Sequence, residues 1–394
     1  MLLSVAYIIL SGIVIEKLMS KLRLPALIGY LVTGIILGPF ILDMIDDSLL
    51  TFSPDIRQLA LIIILTRAGL SLDIQALAKV GRTALMMCFV PASVEILASL
   101  ILGPWILGLS WIQSLIVGSI LAAVSPAVVV PRMVELIKEG RGTDKQIPQI
   151  ILAGSSADDV YVLVLFTAFV TMAQGENVSS LTLLQIPISM IGGIVMGYLV
   201  GKVLNKVFEK ITFRQAFKIA LILSVSFILM HIETLSQGYI SGMLAIISMS
   251  LTIRKENLNE AEWLSHQFNH LWSIAEIFLF FLVGVGINPA YILNEGIKPI
   301  IFIVILSLCR MFIGVNLCLM GTNYTKGERL FTMISYLPKA TVQAAIGSIP
   351  MTLGLPGGEL MFTISALSIL ITAPIGAIAI DQTATKLLKK SKTF

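Results

Sequence analysis

Charged residues are scarce in this 394-residue chain, since Asp, Glu, Lys and Arg make up only 13% of it. Soluble domains carry roughly 25%. The mean hydropathy is +0.95, and 57% of the residues are hydrophobic. So little charge excludes a soluble protein, and so much apolar material excludes disorder. A net charge of +4 without a dense basic stripe argues against nucleic-acid binding.

Cysteine and histidine are also rare, with three of each. Cys88, Cys309 and Cys318 lie inside apolar stretches without paired spacing, so we interpret them as packing residues. Three histidines make a bis-histidine haem enzyme improbable. We expect no bound cofactor and no enzymatic activity.

What the chain does contain is long apolar runs. A spanning helix needs about 20 mostly apolar residues, whereas a β-barrel would show alternating strands of about 10. The runs predict an all-α polytopic membrane protein with thirteen spans. Residues 1–19 lack a basic leader and a cleavage motif, so they are predicted to form a retained first span. The predicted spans are 2–19, 24–42, 57–73, 83–107, 111–137, 148–174, 181–208, 216–232, 236–253, 262–287, 297–320, 328–352 and 359–385.

Loop charges predict the orientation of these spans. Alternate loops hold nearly all the lysines and arginines, whereas the other side has only Arg57 and Lys298. Because basic loops stay in the cytoplasm, we expect the N-terminus outside and the C-terminus inside a cell (inner) membrane.

Short motifs that occur in both halves of the sequence indicate an internal repeat. Glycine-rich motifs in spans 2 and 3 resemble motifs in spans 9 and 10, and Pro126 in span 5 matches Pro338 in span 12 at nearly the same spacing. Thirteen spans would divide into six, one connecting span and six more. The connecting span would give the last six the opposite orientation in the membrane to the first six. This 6+1+6 inverted repeat is a common plan of secondary transporters, so a channel is less favoured.

Spans 5 and 12 are predicted to be interrupted within the membrane. Span 5 contains Ser125, Pro126 and Pro131, and span 12 contains Pro338 followed by Lys339. Proline removes a backbone donor and disrupts the helical hydrogen-bond ladder. We expect the freed carbonyls at such breaks to be available to a cation.

Span 6 carries two adjacent aspartates, Asp158 and Asp159, a few residues after Ser155 and Ser156. Each charge costs about 2.5–3.5 kcal/mol in a membrane, so the pair indicates function. Arg310 in span 11 and Lys339 in span 12 are the expected basic partners. Glu95 in span 4 is related to Arg310 by the repeat, and either a buried pair or separate partners fits the sequence.

A buried aspartate can hold either a proton or a metal cation, and that competition is the basis of antiport. A hard cation such as Na⁺ prefers carboxylate, hydroxyl and carbonyl oxygens. Asp159 with Asp158, Ser155 or Ser156, and the carbonyls near Ser125 would supply them.

Five motifs together resemble the cation/proton antiporter superfamily. Its double-aspartate (NapA/NhaA-type) branch is the most similar, and the motifs of spans 5 and 12 look closest to NHA-type sodium/proton antiporters. The motifs are Leu24–Tyr30 with Gly34 and Gly38-Pro39, Arg67–Asp73, Ser125–Pro131, Asp158-Asp159 and Leu337–Gln343.

The resemblance implies a role for each charged group. Asp159 would be the principal ion- and proton-binding carboxylate, and Asp158 would pair with a basic residue of span 11 when no ion is bound. That residue is lysine in the NapA/NhaA type and Arg310 here. Because arginine does not release its proton, neutral one-for-one exchange is an expectation. Lys339 would neutralise the crossing of the two discontinuous helices.

The resemblance also implies a homodimer in membrane lipid that works by an elevator-type movement, with cytoplasmic Na⁺ exchanged for external H⁺. Scaffold segments, core transport segments and a connecting helix would alternate along the chain. The scaffold would comprise 1–77 and 216–290, the core 83–174 and 297–390, and the connecting helix 181–211.

Three alternatives to Na⁺(Li⁺)/H⁺ antiport remain open at this level. The first is K⁺/H⁺ antiport. The second is a sodium-coupled organic-anion symporter of the bile-acid type, which would need a roomy polar cavity and a second sodium site. The third is a non-transporting cation sensor, which would be expected to carry a soluble signalling domain.

Overall fold

The computed structural model describes residues 1–22, 24–72, 81–174, 180–211, 214–236 and 239–391. The side chains of Ser156, 180–187 and 292–294 lie outside that description. The described residues fold as helices joined by short connections. Ten helices in this part of the chain are long and apolar enough to cross a membrane. The protein is therefore an all-α, multi-span membrane protein.

Nineteen helices are labelled here in chain order. They are α1 (Leu2–Lys21), α2 (Ala26–Leu37), α3 (Asp47–Ser71), α4 (Arg82–Met87), α5 (Val90–Leu107), α6 (Trp111–Leu121), α7 (Pro126–Lys138), α8 (Ile147–Gln174), α9 (Ser180–Lys210), α10 (Gln215–Leu235), α11 (Gly242–Glu256), α12 (Leu258–Val285), α13 (Pro289–Glu295), α14 (Lys298–Cys309), α15 (Asn316–Cys318), α16 (Lys326–Ser335), α17 (Thr341–Ile346), α18 (Ile349–Thr352) and α19 (Gly358–Leu387). A π-helical turn, Arg310–Val315, joins α14 to α15.

Ten of the thirteen predicted spans coincide with these long apolar helices. The other three correspond to the short helices α2 and α11 and to the interrupted pair α16 and α17. Helix α2 begins directly after Pro25 and ends at Leu37, before Gly38, so it is shorter than the predicted span 24–42. The count of thirteen remains a prediction.

The contacts divide the chain into two compact units. Unit 1 comprises Met1–Pro54, Ile74–Val162 and Ile277–Phe394. In unit 1, α2 packs against α12 at backbone distance, because Gly34 faces the carbonyl of Phe281 and Gly284 faces the carbonyl of Leu31. A side chain at either glycine would overlap the opposite backbone, so the contact requires glycine.

Unit 2 comprises Asp55–Asp73 and Leu163–Glu276. Its main packing contact joins α9 to α11, where Gly193, Gly197 and Gly201 face backbone carbonyls of α11 and its N-cap. Small residues at this spacing let two membrane helices approach closely.

Both interruptions expected from the prolines are present in unit 1. The helix of predicted span 5 stops at Leu121 and restarts at Pro126, and that of span 12 stops at Ser335 and restarts at Thr341. Pro131 lies inside α7 without breaking it. The backbone N–H of Ser125 donates to the carbonyl of Pro338 at 2.8 Å, so the two breaks touch.

Candidate functional site

The adjacent aspartates lie near the middle of α8, and both are buried. The carboxylate of Asp158 accepts two hydrogen bonds at Oδ2. One comes from Nη2 of Arg310 at 2.7 Å, and the other comes from the backbone N–H of Val124 at 3.2 Å. Val124 belongs to the break between α6 and α7. Asp158 therefore ties α8 both to this break and to Arg310.

Arg310 opens the π-helical turn and is fully buried. A π-turn holds an extra residue and frequently occurs at functional sites. The guanidinium donates from Nη1 to Glu95 Oε2 at 3.1 Å and to the carbonyl of Ala122. With Asp158, Arg310 therefore has two carboxylate partners on two different helices.

Glu95 of α5 also binds Lys339. The ammonium Nζ of Lys339 lies 2.6 Å from Glu95 Oε1, 2.8 Å from Glu95 Oε2 and 2.6 Å from the carbonyl of Leu121. These acceptors match the three donors of an ammonium group. Two carboxylates and two cations thus form a buried network, named here the four-charge network: Glu95, Asp158, Arg310 and Lys339. Its charges cancel.

The carbonyls at the end of α6 and in the break after it accept from Arg310 and Lys339 of this network and from Gln343. A helix leaves its last four carbonyls without partners inside the helix. Gln343 Nε2 donates to the carbonyls of Ile120 and Ala123, each at 3.0 Å. Lys339 and Arg310 donate to the carbonyls of Leu121 and Ala122.

That a cation uses the carbonyls near Ser125 stays a prediction. The carbonyls of residues 120–123, at the same break, already accept hydrogen bonds. The physical reason is that a buried carbonyl without a partner is costly, and the side chains that cross the break remove this cost.

Buried oxygen atoms remain at the break. Within the described residues, four such atoms have no hydrogen-bond partner: Ser125 Oγ, Asp158 Oδ1, Thr341 Oγ1 and Gln343 Oε1. These hydroxyl, carboxylate and amide oxygens are the ligand types that a hard cation prefers. Ser155 is buried and donates to the carbonyl of Leu152 at 3.3 Å within its own helix. The side chain of Ser156 lies outside the described residues.

Thr341 and Gln343 belong to the span 12 motif, but they are not among the site residues predicted from the sequence. The signal was three polar residues at alternate positions, Lys339, Thr341 and Gln343, in an apolar segment. The described residues contain no group of three His, Cys, Asp or Glu side chains that could hold a metal ion.

The turn between α7 and α8 fixes the N-terminal end of the aspartate helix. Lys145 forms an ion pair with Glu328 at 2.7 Å, and the Tyr324 hydroxyl donates to the carbonyl of Lys145 at 3.0 Å. Burial, with a smaller contribution from the nearby Glu328 carboxylate, raises the pKa of Tyr324 to about 12. Ser391 donates to Asp144 at 2.6 Å, which attaches the chain after α19 to the same turn.

Comparison with known proteins gives consistent matches over nearly the whole chain. Residues 5–386 match the family described as sodium/hydrogen exchanger, transmembrane. Sodium/hydrogen exchanger 9B2 of Xenopus tropicalis is 31% identical over 96% of this chain and 73% of its own length. The human sodium/hydrogen exchanger 9B1 is 28% identical over 96% of this chain and 77% of its own length.

A solved structure has the same fold. The sodium proton antiporter MjNhaP1 from Methanocaldococcus jannaschii superposes with a TM-score of 0.83 at 21% identity, over 98% of this chain and 99% of that one. At this identity the likeness concerns the fold alone. The family match covers almost every described helix, including both interrupted ones, and on this evidence the chain belongs to the transmembrane sodium/hydrogen exchanger family.

Proposed function

We propose that this protein is a secondary active sodium(lithium)/proton antiporter. The observation that carries the proposal is the pair of buried aspartates on α8, one of which contacts both Arg310 and the break in the neighbouring helix. Membership of the exchanger family and relatives named sodium/hydrogen exchangers support it.

The transport step is competition at Asp159. A proton or one Na⁺ neutralises this carboxylate, and the two cannot occupy it together. Asp158 Oδ1, Ser125, Thr341 and Gln343 offer further oxygens at the break, and Ser155 and Ser156 lie on the same helix as the aspartates. An arriving Na⁺ would draw Asp158 away from Arg310, so ion binding is coupled to the loss of one buried ion pair. Li⁺ is an expected alternative cargo, and no resident cofactor is required.

We propose that the exchange is one-for-one and electrically neutral. The four-charge network has no net charge, and the guanidinium of Arg310 keeps its proton at working pH. The three acceptors around Lys339 suit its ammonium form. Replacing one H⁺ by one Na⁺ at Asp159 then leaves the charge of the site unchanged in both directions of transport.

The finer architecture belongs to the same proposal. Thirteen spans in a 6+1+6 inverted repeat would place the two interrupted helices as a crossed pair, which the hydrogen bond between Ser125 and Pro338 supports. Segments 83–174 and 297–390 would form the moving core, and 1–77 and 216–290 the scaffold of a homodimer. The connecting helix would be 181–211. Alternating access would shift the core in a cell membrane with the N-terminus outside and the C-terminus in the cytoplasm.

The test uses purified protein in proteoliposomes that contain a pH-sensitive dye. Addition of NaCl or LiCl should drive proton movement in the wild type, and Asp159→Asn should abolish it because the shared ligand is lost. Asp55→Asn, the same change at an exposed aspartate, is the matched control and should retain exchange. Sodium-driven proton movement in Asp159→Asn would contradict the site.

The same vesicles separate the alternatives. A response to KCl alone would favour K⁺/H⁺ antiport. Sodium-dependent uptake of an organic anion without proton movement would favour the symporter. Cation binding without flux would favour a sensor. Each of these results would overturn sodium/proton antiport.

A further inference from the structure

Tyr336 occupies the junction where α16 ends and the second break begins. Its side chain is fully buried, and its backbone N–H donates to the carbonyl of Met333 at 3.1 Å. Its hydroxyl lies 3.5 Å from the carbonyl of Met87 in α4, which is a weak hydrogen bond. The backbone of Tyr336 and its hydroxyl each have a hydrogen-bond partner, and burial limits the movement of the ring. The ring therefore has a fixed orientation.

That face carries the guanidinium of Arg310. The central carbon of the guanidinium lies 5.4 Å from the centre of the Tyr336 ring, within the range of a cation–π interaction. Nη1 and Nη2 of Arg310 have acceptors, whereas Nε has no hydrogen-bond partner among the described residues. The ring thus lies against a guanidinium that has one N–H without a hydrogen-bond partner among the described residues.

The same ring packs on the helix that carries the aspartates. Gly154 lies one turn before Asp158 on α8, and a β-carbon at this position would overlap the Tyr336 hydroxyl. The glycine therefore admits the ring on the side of α8 that carries Asp158. Tyr336 therefore contacts both Arg310 and α8, the helix that carries Asp158.

Resting on the proposed antiport, we propose that Tyr336 is a positioning residue that stabilises Arg310 when Asp158 turns from it to Na⁺. A buried guanidinium that loses one carboxylate partner is destabilised. The electron-rich face of the Tyr336 ring offsets part of this destabilisation, because a cation–π interaction is stronger when both groups are shielded from water. The ring attracts the guanidinium more strongly once Asp158 no longer neutralises it, so the contact favours the state in which Asp158 has turned to Na⁺ and raises the affinity of the site for sodium.

The experiment varies the electron density of the ring and leaves its shape nearly unchanged. Position 336 is occupied in turn by Tyr, Phe, monofluorophenylalanine and trifluorophenylalanine, and sodium-driven proton movement gives KM for Na⁺ and the maximal rate. We expect Phe to match Tyr closely in KM. Successive fluorination should raise KM in steps to about tenfold, with the maximal rate little changed.

The matched control is the same series at Phe331. This aromatic residue of α16 is also fully buried and lies in the same apolar cluster as Tyr336, but it makes no cation–π contact within the described residues. Equal thermal unfolding temperatures across both series would show that folding is preserved. A constant KM at position 336, or an equal rise at position 331, would overturn the role of Tyr336.

If the ring has only a structural role, Tyr336→Leu should lower the maximal rate or the unfolding temperature and leave KM for Na⁺ unchanged. That result would also overturn the proposal. The failure of the antiport proposal is distinguishable, because a wild type without sodium-driven proton movement overturns both proposals. An active wild type with a constant KM overturns only the inference about Tyr336.

Discussion

Glu95 and Lys339 form a buried ion pair in which both carboxylate oxygens accept from Nζ, at 2.6 and 2.8 Å. The same carboxylate accepts from Arg310 at 3.1 Å. Glu95 therefore bridges two cations, and it is the shared member of the four-charge network. Removal of this one negative charge would leave the two buried cations of the network with Asp158 as its one remaining carboxylate.

Glu95→Gln should destabilise the protein by about 3–5 kcal/mol, because it leaves an uncompensated buried charge. Thermal or denaturant unfolding of the purified protein in detergent measures this. Glu139→Gln is the matched control, since Glu139 forms an exposed ion pair with Arg141 and its loss should cost under about 1 kcal/mol. Equal stability of the two variants would show that Glu95 does not bridge the cations.

Asp158→Asn should lower stability but leave partial exchange. It removes an anionic partner of Arg310, while Asp159 still offers a carboxylate to Na⁺ and H⁺. Exchange in proteoliposomes and unfolding in detergent measure the two effects. Asp381→Asn, which removes the exposed partner of Arg132, is the control. A variant with the full stability and rate of the wild type would contradict the importance of the Asp158–Arg310 pair.

Gln343→Leu should destabilise the protein by about 1–3 kcal/mol, because two buried carbonyls at the end of α6 lose a close donor. The side chains have similar size, so the change concerns the hydrogen bonds. Unfolding in detergent measures it. Gln215→Leu, at an exposed position at the start of α10, should be nearly neutral. If Gln343→Leu were equally neutral, the carbonyls at the break would not depend on Gln343.

Gly154→Ala should destabilise the protein by about 1–3 kcal/mol, since its β-carbon would overlap the Tyr336 hydroxyl and meet Met87 at 2.9 Å. Gly327→Ala is the matched control in α16, where a β-carbon would be 3.4 Å from the Leu387 side chain. This distance is an ordinary contact, so the control should be neutral or slightly stabilising. Comparison of the two unfolding midpoints checks the close packing of Tyr336 on α8.

Neutral exchange predicts that sodium flux does not follow voltage. A potassium diffusion potential is imposed on proteoliposomes without a pH gradient, and ²²Na⁺ uptake is measured. We expect no accumulation driven by either sign of potential, whereas a pH gradient in the same vesicles should drive uptake. Accumulation that follows the voltage would contradict one-for-one exchange and require a second proton carrier.

The sequence by itself determined the class of protein and the places where helices break. Lipid offers no hydrogen bonds to the backbone, so spanning segments of this protein are long apolar helices. They appear in the sequence as long runs of hydrophobic residues. Pro126 and Pro338 mark the breaks because proline cannot continue the ladder. Two adjacent aspartates stand out because charge in a membrane is costly and rarely retained without function.

The resemblance implied that Asp158 pairs with Arg310, and only the tertiary structure decided that Glu95 bridges Arg310 and Lys339. Arg310 lies 152 residues from Asp158 and 215 from Glu95, and Lys339 lies 244 from Glu95. No helical or strand periodicity relates positions so far apart. The packing of the helices brings them together, and it also turns Gln343 toward the end of α6 and Tyr336 toward Arg310. These contacts form because each buried charge and carbonyl needs a partner. The sequence shows which groups need one, but only the packing of the helices shows which groups pair.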